Sequence, residues 1–404
     1  MRNSVKILLI AVTVFIAVAS AAGQTVVPGL EVLLTEQKAL IAGKRVGLIT
    51  NHSAVDRQMR SAIDLLAAAP GVKLVALFGP EHGVRGAAQA GESVEASTDP
   101  RTGVPIHSLY GRISRPTPEM LKGVDVLLFD IQDAGVRFYT YINTMGRCME
   151  AAAEQGIPFV VLDRPNPLAD TAIEGRLLDV ARFKSGVGAY AIPIRYGLTI
   201  GELAGFINDR LKKAAKLTVV KMKNYRRSLW YDQTGLQWIA PSPNIPSPAT
   251  ATVYPGMCLI EGTNVSEGRG TTQPFEMIGA PWLDGDKLAD SLNALKLPGV
   301  LFRPASFTPI FSKFKDQACR GIQVHVTDRQ SFRAVRVVLH IIAAVRQSHP
   351  DQFRWLKSID LLSGSDDLRL AMDRNTPVDD ILASWAPEIS KFDAARKRYF
   401  LYPY

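Results

Sequence analysis

Short apolar segments alternate with helical patterns through the first half of the chain, and this alternation limits the fold more than any other feature. Four of these segments are predicted strands, at residues 45–50 (RVGLIT), 73–78 (KLVALF), 124–133 (VDVLLFDIQD) and 157–163 (IPFVVLD). Helical patterns separate them, one around residues 59–69 and one in the segment that stops at Gly156. Strands that alternate with helices indicate a parallel sheet with helices on its faces. We therefore predict an α/β fold built on such a sheet.

Polar side chains follow each of the four predicted strands. In an open parallel sheet, ligands bind beyond the carboxyl ends of the strands, because loops and helix N-termini converge there. Some of these residues also occupy positions where helix caps are expected, Asp133 and Asn166 among them. The residues predicted to face this crevice are Asn51, His52, Glu81, His82, Arg85, Asp130, Asp133, Arg137, Asp163, Arg164 and Asn166.

The loop after the second strand, FGPEHGVRG at residues 78–86, holds three ionisable side chains in one turn. These are Glu81, His82 and Arg85. Three glycines and Pro80 surround them, which suits an irregular backbone that must approach a ligand closely. A loop that only reverses the chain is the alternative, but polar residues after all four strands favour a site.

Familiar nucleotide-binding and hydrolase signatures are absent from the sequence. TNHSA follows the first strand in place of GxGxxG, and no GxxxxGK[ST] occurs, which argues against NAD and ATP. The sequence also lacks GxSxG and HExxH, the usual signals of serine esterases and zinc peptidases. We expect no obligatory cofactor and no bound metal, and aspartates that hold a divalent cation are the alternative.

The composition changes near residue 226, and we predict a first domain at residues 25–228 and a smaller α+β domain at residues 229–404. A proline-rich passage at 241–248 (PSPNIPSP) precedes a long polar, glycine-rich stretch at 254–282. A loop of this length is usually functional or disordered, and its flanking aromatic residues argue against disorder. We expect it to pack against the crevice of the first domain. Its polar candidates are Glu261, Asn264, Glu267, Arg269, Thr271 and Glu276.

Residues 192–204 (IPIRYGLTIGELA) predict the end of another strand and the start of a helix. Thr199 stands at the N-cap position, and Glu202 three residues later completes a capping box. We therefore interpret both as structural, whereas Arg195 at the predicted strand end is a ligand candidate. Further strands are predicted at 217–225 and within FKDQACRGIQVHVTD, and the aromatic segment RYFLYPY is expected to dock against the core.

The first 22 residues have the pattern of a cleaved secretory signal. Arg2 and Lys6 precede an apolar run at 7–18, and small residues at 19–22 suit cleavage. An uncleaved anchor is the alternative, but the expected location is secreted or periplasmic. The net charge of +9 becomes +7 without those two cations (9 − 2 = 7), and no run of Lys and Arg indicates nucleic-acid binding.

Three cysteines are too few for a disulfide framework in a chain of this length. Cys258 and Cys319 are candidates for one bridge across the second half, with Cys148 buried in a helix. No CxxC spacing or neighbouring histidine pair accompanies them, which argues against a zinc site. The sequence leaves the pairing open.

A crevice of carboxylates, arginines, asparagines and nearby aromatic rings suits carbohydrate recognition. Glycoside hydrolysis needs a protonated carboxylic acid that assists the leaving group and a second group at the anomeric carbon. Glu81 is our candidate for the acid. The candidates for the second group are Glu261, Glu267, Glu276, Asp133 and Asp163, or a 2-acetamido group of the substrate itself.

Two other functions fit the same residues. A binding protein would capture cell-wall sugars in the crevice without turnover. A deacetylase or amidase of the cell wall would act on the same polymer through a metal ion, and a chelator would abolish its activity. Product analysis of a disaccharide substrate separates all three.

Several long motifs resemble one bacterial family, the exo-acting β-N-acetylmuramidases of glycoside hydrolase family 171. The motifs are LITNHS, FGPEHGVRG, SLYG, FDIQDAGVRFYTYI, LDRPNPL, RYGLTIGELA, PSPN, EGTNVSEGRGTTQPFE and GAPW, and the resemblance covers about residues 30–400. It implies a Rossmann-like N-terminal domain, a smaller C-terminal domain and an active site in the cleft between them. It also implies release of N-acetylmuramic acid from non-reducing ends of peptidoglycan fragments, with Glu81 as a catalytic residue. Tyr139 and Asn244 lie in these motifs and complete the predicted substrate-binding set.

Muramic acid carries a lactyl carboxylate, so this resemblance also implies a cation in the site. Arginine pairs with carboxylates in a two-pronged geometry. The candidates are Arg137, Arg164, Arg195 and Arg269. The expected partners are peptidoglycan-derived saccharides, with no nucleic acid and no stable membrane insertion.

Overall fold

A seven-stranded sheet forms the centre of the N-terminal half of the computed structural model, which describes residues 25–86 and 97–404. The described strands are β1 (Arg45–Thr50), β2 (Lys73–Gly79), β3 (Ser97–Thr98), β4 (Pro105–Ser108), β5 (Val126–Asp130), β6 (Phe159–Leu162) and β7 (Leu217–Val220). Their spatial order is β3-β4-β2-β1-β5-β6-β7, and every pair is parallel except β3 with β4. Without β3 this is the strand order of the doubly wound dinucleotide-binding fold. The predicted α/β, Rossmann-like class is therefore confirmed.

Both faces of this sheet are buried, which explains why its strands are apolar at nearly every position. On β5, Leu127 and Phe129 join one apolar cluster, whereas Val126 and Leu128 join a second cluster on the opposite face. Alternate residues of a strand point to opposite faces, so helices must cover both. Continuous apolar runs were thus the right signal for the central strands.

Five described helices accompany the sheet. They are α1 (Gly29–Thr35), α2 (Ala62–Ala67), α3 (Tyr141–Gln155), α4 (Val180–Phe183) and α5 (Ile200–Asn208). The capping box predicted for α5 is confirmed, since the Thr199 hydroxyl accepts from the Glu202 N–H and the Glu202 carboxylate accepts from the Thr199 N–H. The helix predicted around 59–69 is shorter, because the Ser61 hydroxyl caps its N-terminus by accepting from the Ile63 N–H and the helix ends at Ala67.

The strand predicted to end at Arg195 is wrong. Arg195 makes only isolated bridges, with Val136 and Glu174, and its segment lies outside the sheet. The strand predicted over 217–225 stops at Val220, and the first predicted strand occupies its expected residues, Arg45–Thr50. Apolar runs therefore identify the central strands of the large sheet. The apolar run at Arg195, however, forms a buried irregular segment instead of a strand.

The C-terminal half contains a three-stranded antiparallel sheet with the order β8-β10-β9 among the described residues. Its strands are β8 (Met277–Ala280), β9 (Val300–Phe307) and β10 (Cys319–Val326). The helices are α6 (Pro248–Met257), α7 (Gly285–Ala294), α8 (Ala334–Ser348), α9 (Ser358–Ser363), α10 (Asp367–Asp373) and α11 (Val378–Arg396). One apolar cluster includes Phe129 of β5 and Ile322 of β10, so the two halves pack against each other. The predicted domain boundary at 228 and 229 falls between β7 and β8.

The C-terminal segment docks against the N-terminal half, as predicted. The Tyr402 hydroxyl donates to Asp163 at 2.6 Å and accepts from the Met222 N–H at 2.9 Å. The Tyr402 ring meets the Tyr225 ring edge to face, with centroids 5.0 Å apart. This contact joins the end of the chain to the carboxyl ends of β6 and β7.

The three cysteines, Cys148, Cys258 and Cys319, are buried free thiols, so the bridge considered between the latter two does not form. No described helix combines the length and apolar character needed to cross a membrane. The predicted secretory signal, residues 1–22, lies outside the described residues.

Candidate functional site

A cavity of about 210 Å³ lies beyond the carboxyl ends of β2, β4 and β5. Residues of the N-terminal half form one wall, and residues between 242 and 275 form the other together with Leu362. The polar and aromatic lining consists of Glu81, His82, Tyr110, Phe138, Tyr139, Thr140, Tyr141, Ser242, Asn244, Tyr254, Glu261, Arg269 and Phe275. The cavity therefore occupies the cleft where the strand ends and the glycine-rich loop were predicted to meet.

Glu81 follows β2 after a single residue, Pro80, and stands in an unusual turn. His82 has a left-handed backbone with φ of 72°, and Gly83 after it has the same φ. A residue with a side chain rarely adopts this conformation, and such strain is found preferentially at functional sites. The Thr140 hydroxyl donates to the Glu81 carboxylate at 2.9 Å, from the turn that precedes α3. The turn and Thr140 together hold this carboxylate at the cavity wall.

Tyr110 lies beside Glu81 and follows β4. Burial and the neighbouring Glu81 carboxyl group raise the pKa of its hydroxyl to about 12. The hydroxyl therefore stays protonated at neutral pH and is available as a hydrogen-bond donor.

Two carboxylates and two cations alternate on the opposite wall. The Arg269 guanidinium donates to the Glu261 carboxylate through Nη2 at 2.6 Å and through Nε at 2.9 Å. It also lies 3.6 Å from the Glu267 carboxylate, which accepts from Lys313 Nζ at 3.0 Å. Burial raises the pKa of Glu261, and the positive charge of Arg269 opposes that rise. The cluster brings acidic groups into the cavity without leaving their charge uncompensated.

Aromatic rings line the cavity between these charged groups. The Tyr254 ring meets Phe138 and Phe275 edge to face, with centroids 5.3 and 4.7 Å away. The Tyr139 ring meets that of Tyr141 in the same way at 4.9 Å. Aromatic rings packed edge to face hold each other in place, so these walls are fixed in position.

A larger cavity of about 990 Å³ adjoins the first, and we call them the outer and the inner cavity. The residues that line both are Glu81, Tyr110, Asn244, Glu261 and Arg269. The outer cavity adds Glu267, Ile310, Phe311, Ser312 and Lys313. Glu81 therefore stands where the two spaces meet.

Seven predicted site residues come together in these cavities. They are Glu81, His82, Tyr139, Asn244, Glu261, Glu267 and Arg269. The structure places the other predicted residues elsewhere, where they make contacts that stabilise the fold.

Three of the four arginines predicted to bind a carboxylate are among the residues outside the cavities. Arg137 is fully buried and donates to the backbone carbonyls of Ile192 and Leu362 at 3.0 and 2.8 Å. Arg164 pairs with Asp130 at 2.5 Å. Arg195 pairs with Glu174 at 3.2 Å and also donates to backbone. Arg137 and Arg164 follow β5 and β6, whereas Arg195 follows no strand, and the side chains of all three turn into the core.

The predicted aspartates and Asn166 also lie within the fold. Asp163 accepts from Tyr402 and Thr199, and Asn166 donates to the Leu198 carbonyl at 2.8 Å. Asp133 accepts from the Gly135 N–H at 2.8 Å and from Tyr196. Each of these side chains ties the end of a strand to a neighbouring loop. The helix-cap role considered for Asp133 and Asn166 is wrong, because α3 has Thr140 as its N-cap and the next described helix begins only at Val180.

The remaining predicted residues have partners outside the two cavities. Asn51 accepts from Ser53, and His52 contacts the Ala240 carbonyl at 2.8 Å. Arg85 pairs with Asp99 at 2.9 Å. Separately, Asn264 and Glu276 of the long loop bond to the Gln352 carbonyl and to the Thr250 hydroxyl, respectively.

Sequence reasoning missed Tyr110, Thr140 and Lys313 as site residues. Tyr110 and Thr140 lie in the motifs SLYG and FYTYI, so the motifs held a signal for both. Lys313 lies in the β9–β10 loop, where no pattern marks it. Among the described residues, no group of three or more His, Cys, Asp or Glu side chains is arranged to hold a metal ion.

Comparison with known proteins gives matches over nearly the whole chain. Residues 46–249 match the family model "Exo-beta-N-acetylmuramidase NamZ, N-terminal", and residues 252–402 match its C-terminal counterpart. The chain is 50% identical over 376 residues to the peptidoglycan beta-N-acetylmuramidase NamZ of Bacillus subtilis (strain 168), covering 93% of this chain and 91% of that protein.

Two solved structures of DUF1343 family proteins from Bacteroides fragilis NCTC 9343 have the same fold. One is 43% identical with a TM-score of 0.88, and the other is 32% identical with a TM-score of 0.76. Each alignment covers 94% of this chain and 99% of the other. The likeness therefore extends over both sheets and the cleft between them.

Proposed function

The chain belongs to the exo-beta-N-acetylmuramidase NamZ family, and from this premise we propose that it releases N-acetylmuramic acid from non-reducing ends of peptidoglycan fragments, with Glu81 as general acid. It is a glycoside hydrolase, and its reaction breaks a β-glycosidic bond. Such a reaction needs an acid that protonates the departing oxygen.

The position of Glu81 at the junction of the two cavities carries this assignment. A glycosidic bond that lies across the junction places one sugar in each cavity and its bridging oxygen beside the Glu81 carboxylate. Thr140 donates to Oε2 of that carboxylate at 2.9 Å and fixes its orientation. A positioned acid of this kind accelerates the reaction by about 10²- to 10⁴-fold.

Glu261 and Glu267 are our candidates for the second role at the anomeric carbon, together with the 2-acetamido group of the substrate. Both carboxylates border the outer cavity, and each is paired with a cation, Arg269 or Lys313. Glu261 also lines the inner cavity, whereas Glu267 lines only the outer one, so Glu261 is the better placed of the two for a sugar in the inner cavity.

Arg269 is our candidate for the lactyl carboxylate of muramic acid. Of the four arginines considered from the sequence, it is the one whose side chain lines the cavities of the described chain. Glu261 engages Nε and Nη2, and the guanidinium carries further N–H groups for a second anion. A planar fork of donors suits a carboxylate ligand.

Replacement of Glu81 by Gln tests the proposal with the disaccharide MurNAc-GlcNAc as substrate. Mass spectrometry of the products should find free N-acetylmuramic acid with the wild type, with or without a chelator. The Glu81→Gln variant keeps the shape of the side chain but removes the acid, so its rate should fall at least about 100-fold.

Glu276→Gln is the matched control for this experiment. Glu276 is another glutamate of the predicted site, but it bonds to Thr250 away from both cavities, so this variant should keep wild-type activity. A Glu81→Gln variant as active as the wild type would remove Glu81 from the acid role. Binding without any cleavage by the wild type would favour the sugar-capture function instead.

We also propose that the reaction takes place outside the cytoplasm. The basic start, apolar run and small residues of positions 1–22 support a cleaved signal. Cell fractionation checks the location, and protein found only in the cytoplasmic fraction would contradict it. N-terminal sequencing of the exported protein checks the cleavage, and an intact Met1 would favour the uncleaved anchor.

A further inference from the structure

The loop between β9 and β10 brings two large apolar side chains to the wall of the outer cavity. Ile310 is 70% exposed and Phe311 is 43% exposed, and both line that cavity. Single exposed apolar residues are ordinary on protein surfaces. Two adjacent ones at the wall of a functional cavity point instead to a contact made with a ligand.

Backbone contacts hold this loop against the turn that carries Arg269. The Ile310 N–H donates to the Gly270 carbonyl at 3.0 Å. Gly270 has a φ of 83°, and a Cβ at this position would lie 2.5 Å from the Phe311 carbonyl oxygen. The close approach requires glycine and leaves the loop little freedom to move away.

Lys313 anchors the same loop from the other side. Its Nζ donates to the backbone carbonyls of Ile260 and Val265 at 3.1 and 2.9 Å, and to Glu267. Between these anchors, Ser312 has a left-handed backbone with φ of 71°. Ile310 and Phe311 are therefore presented on a fixed loop, so that they are pre-organised for binding.

The reaction assigns a different part of the substrate to each cavity. An exo-acting enzyme releases one sugar at a time, and the smaller inner cavity suits that single sugar. Glu81 protonates the oxygen at the junction, so the part of the fragment that departs with this oxygen extends into the outer cavity.

We propose that Ile310 and Phe311 form an apolar platform that binds the sugar residue departing with the glycosidic oxygen. The C–H face of a pyranose ring is apolar, and an aromatic ring offers it a flat surface to bury. The inference rests on the proposed function, because it takes the position of the cleaved bond from the role of Glu81. It adds a leaving-group subsite to that function.

A pair of substrates that differ only in the departing group tests this platform. MurNAc-GlcNAc releases a sugar from the outer cavity, whereas N-acetyl-β-muramyl fluoride releases a fluoride ion too small to reach Phe311. Phe311→Ala should lower kcat/KM for the disaccharide about tenfold or more, because apolar contact is lost. The same variant should stay within about twofold of the wild type on the fluoride.

Two further variants separate a platform from a general disturbance of the site. Phe311→Tyr keeps a flat ring and should restore activity on the disaccharide to near the wild-type value. Leu301→Ala removes an apolar side chain from β9 that is 57% exposed and is not among the described residues lining either cavity. It should leave both substrates unaffected.

Equal losses on the two substrates, or no loss on either, would overturn the platform. A loss confined to fragments that carry a stem peptide would also overturn it, because it would place peptide rather than sugar on these side chains. A wild-type protein that cleaves neither substrate would instead overturn the proposed function itself.

Discussion

Asp133 is a buried acid close behind the inner cavity. It is 5% exposed, and burial raises the pKa of its carboxyl group to about 6. The Gly135 N–H and the Tyr196 hydroxyl donate to it and oppose that rise. The folded protein therefore binds a proton at Asp133 more tightly than the unfolded chain does.

Replacement of Asp133 by Asn should change how stability depends on pH. With a pKa of about 6 folded and 3.8 unfolded, Asp133 contributes stability that is fully present below about pH 4 and lost as pH rises through about 6. The shift corresponds to about 3 kcal/mol as an upper limit. Urea unfolding from about pH 4 to 8 should show Asp133→Asn gaining stability relative to the wild type as pH rises.

Asp125→Asn is the control for this titration. Arg45 lowers the pKa of this exposed carboxyl to about 2, so its stabilising effect is lost only in stronger acid. The free energy of unfolding of this variant should therefore change with pH in the same way as that of the wild type between about pH 5 and 8. If the free energy of unfolding of Asp133→Asn also changed with pH in the same way as that of the wild type, Asp133 would not titrate in this range.

The sequence predicts the position of some side chains in the cavities but not the direction of others. Glu81 was predicted correctly as a cavity residue, because it follows a strand and its loop leaves the carboxylate at the surface. Arg137 and Arg164 follow strands as well, yet they point inward to carbonyls and to a carboxylate. Strand position fixes where a residue lies, but the direction of its side chain depends on partners distant in sequence.

At the level of elements, helix α3 ends at Gly156, as the sequence predicted. Gly156 has a left-handed backbone with φ of 71°, and a Cβ there would meet no atom within 4 Å. Gly156→Ala should therefore introduce conformational strain but no steric clash. We expect the free energy of unfolding to fall by about 1 kcal/mol. Chemical denaturation measures this loss.

Gly186→Ala serves as the comparison for this helix end. A Cβ at Gly186 also meets no atom within 4 Å, but its backbone lies outside the left-handed region. Its stability should match the wild type or exceed it slightly. Similar losses in both variants would mean that backbone conformation is not the cause.

The elements that escaped prediction are short or irregular. β4 has four residues, Pro105–Ser108, with only one of them buried, so no apolar run marks it. The segment at Arg195 is apolar and buried but makes only isolated bridges. Burial selects apolar residues around Arg195 but only one residue of β4, and in both cases strand pairing depends on neighbours that the local sequence does not specify.

At the scale of the whole molecule, Tyr402 connects the C-terminal segment to the large sheet through hydrogen bonds. Its hydroxyl joins the Asp163 carboxylate and the Met222 N–H, both of them in the N-terminal half. Tyr402→Phe removes both hydrogen bonds while keeping the ring. The free energy of unfolding should therefore fall by about 2–3 kcal/mol. The midpoint of denaturation measures the change.

Tyr404→Phe is the matched change two residues later. Its hydroxyl donates to Asp170, but the side chain is 57% exposed, so water replaces the lost partner. We expect a change within about 0.5 kcal/mol. If Tyr402→Phe were equally mild, the docked tail would contribute little to the stability of the large sheet.

Glu81 belongs to the turn after β2, whereas Arg269, Ile310 and Phe311 belong to loops more than 180 residues later in the chain. The general acid and the substrate contacts proposed for Arg269, Ile310 and Phe311 thus lie in separate stretches of the gene. A substitution in the β9–β10 loop can therefore change the contact with the departing sugar without displacing Glu81. A protein with this architecture can change its preference among peptidoglycan fragments while it keeps the same catalytic acid.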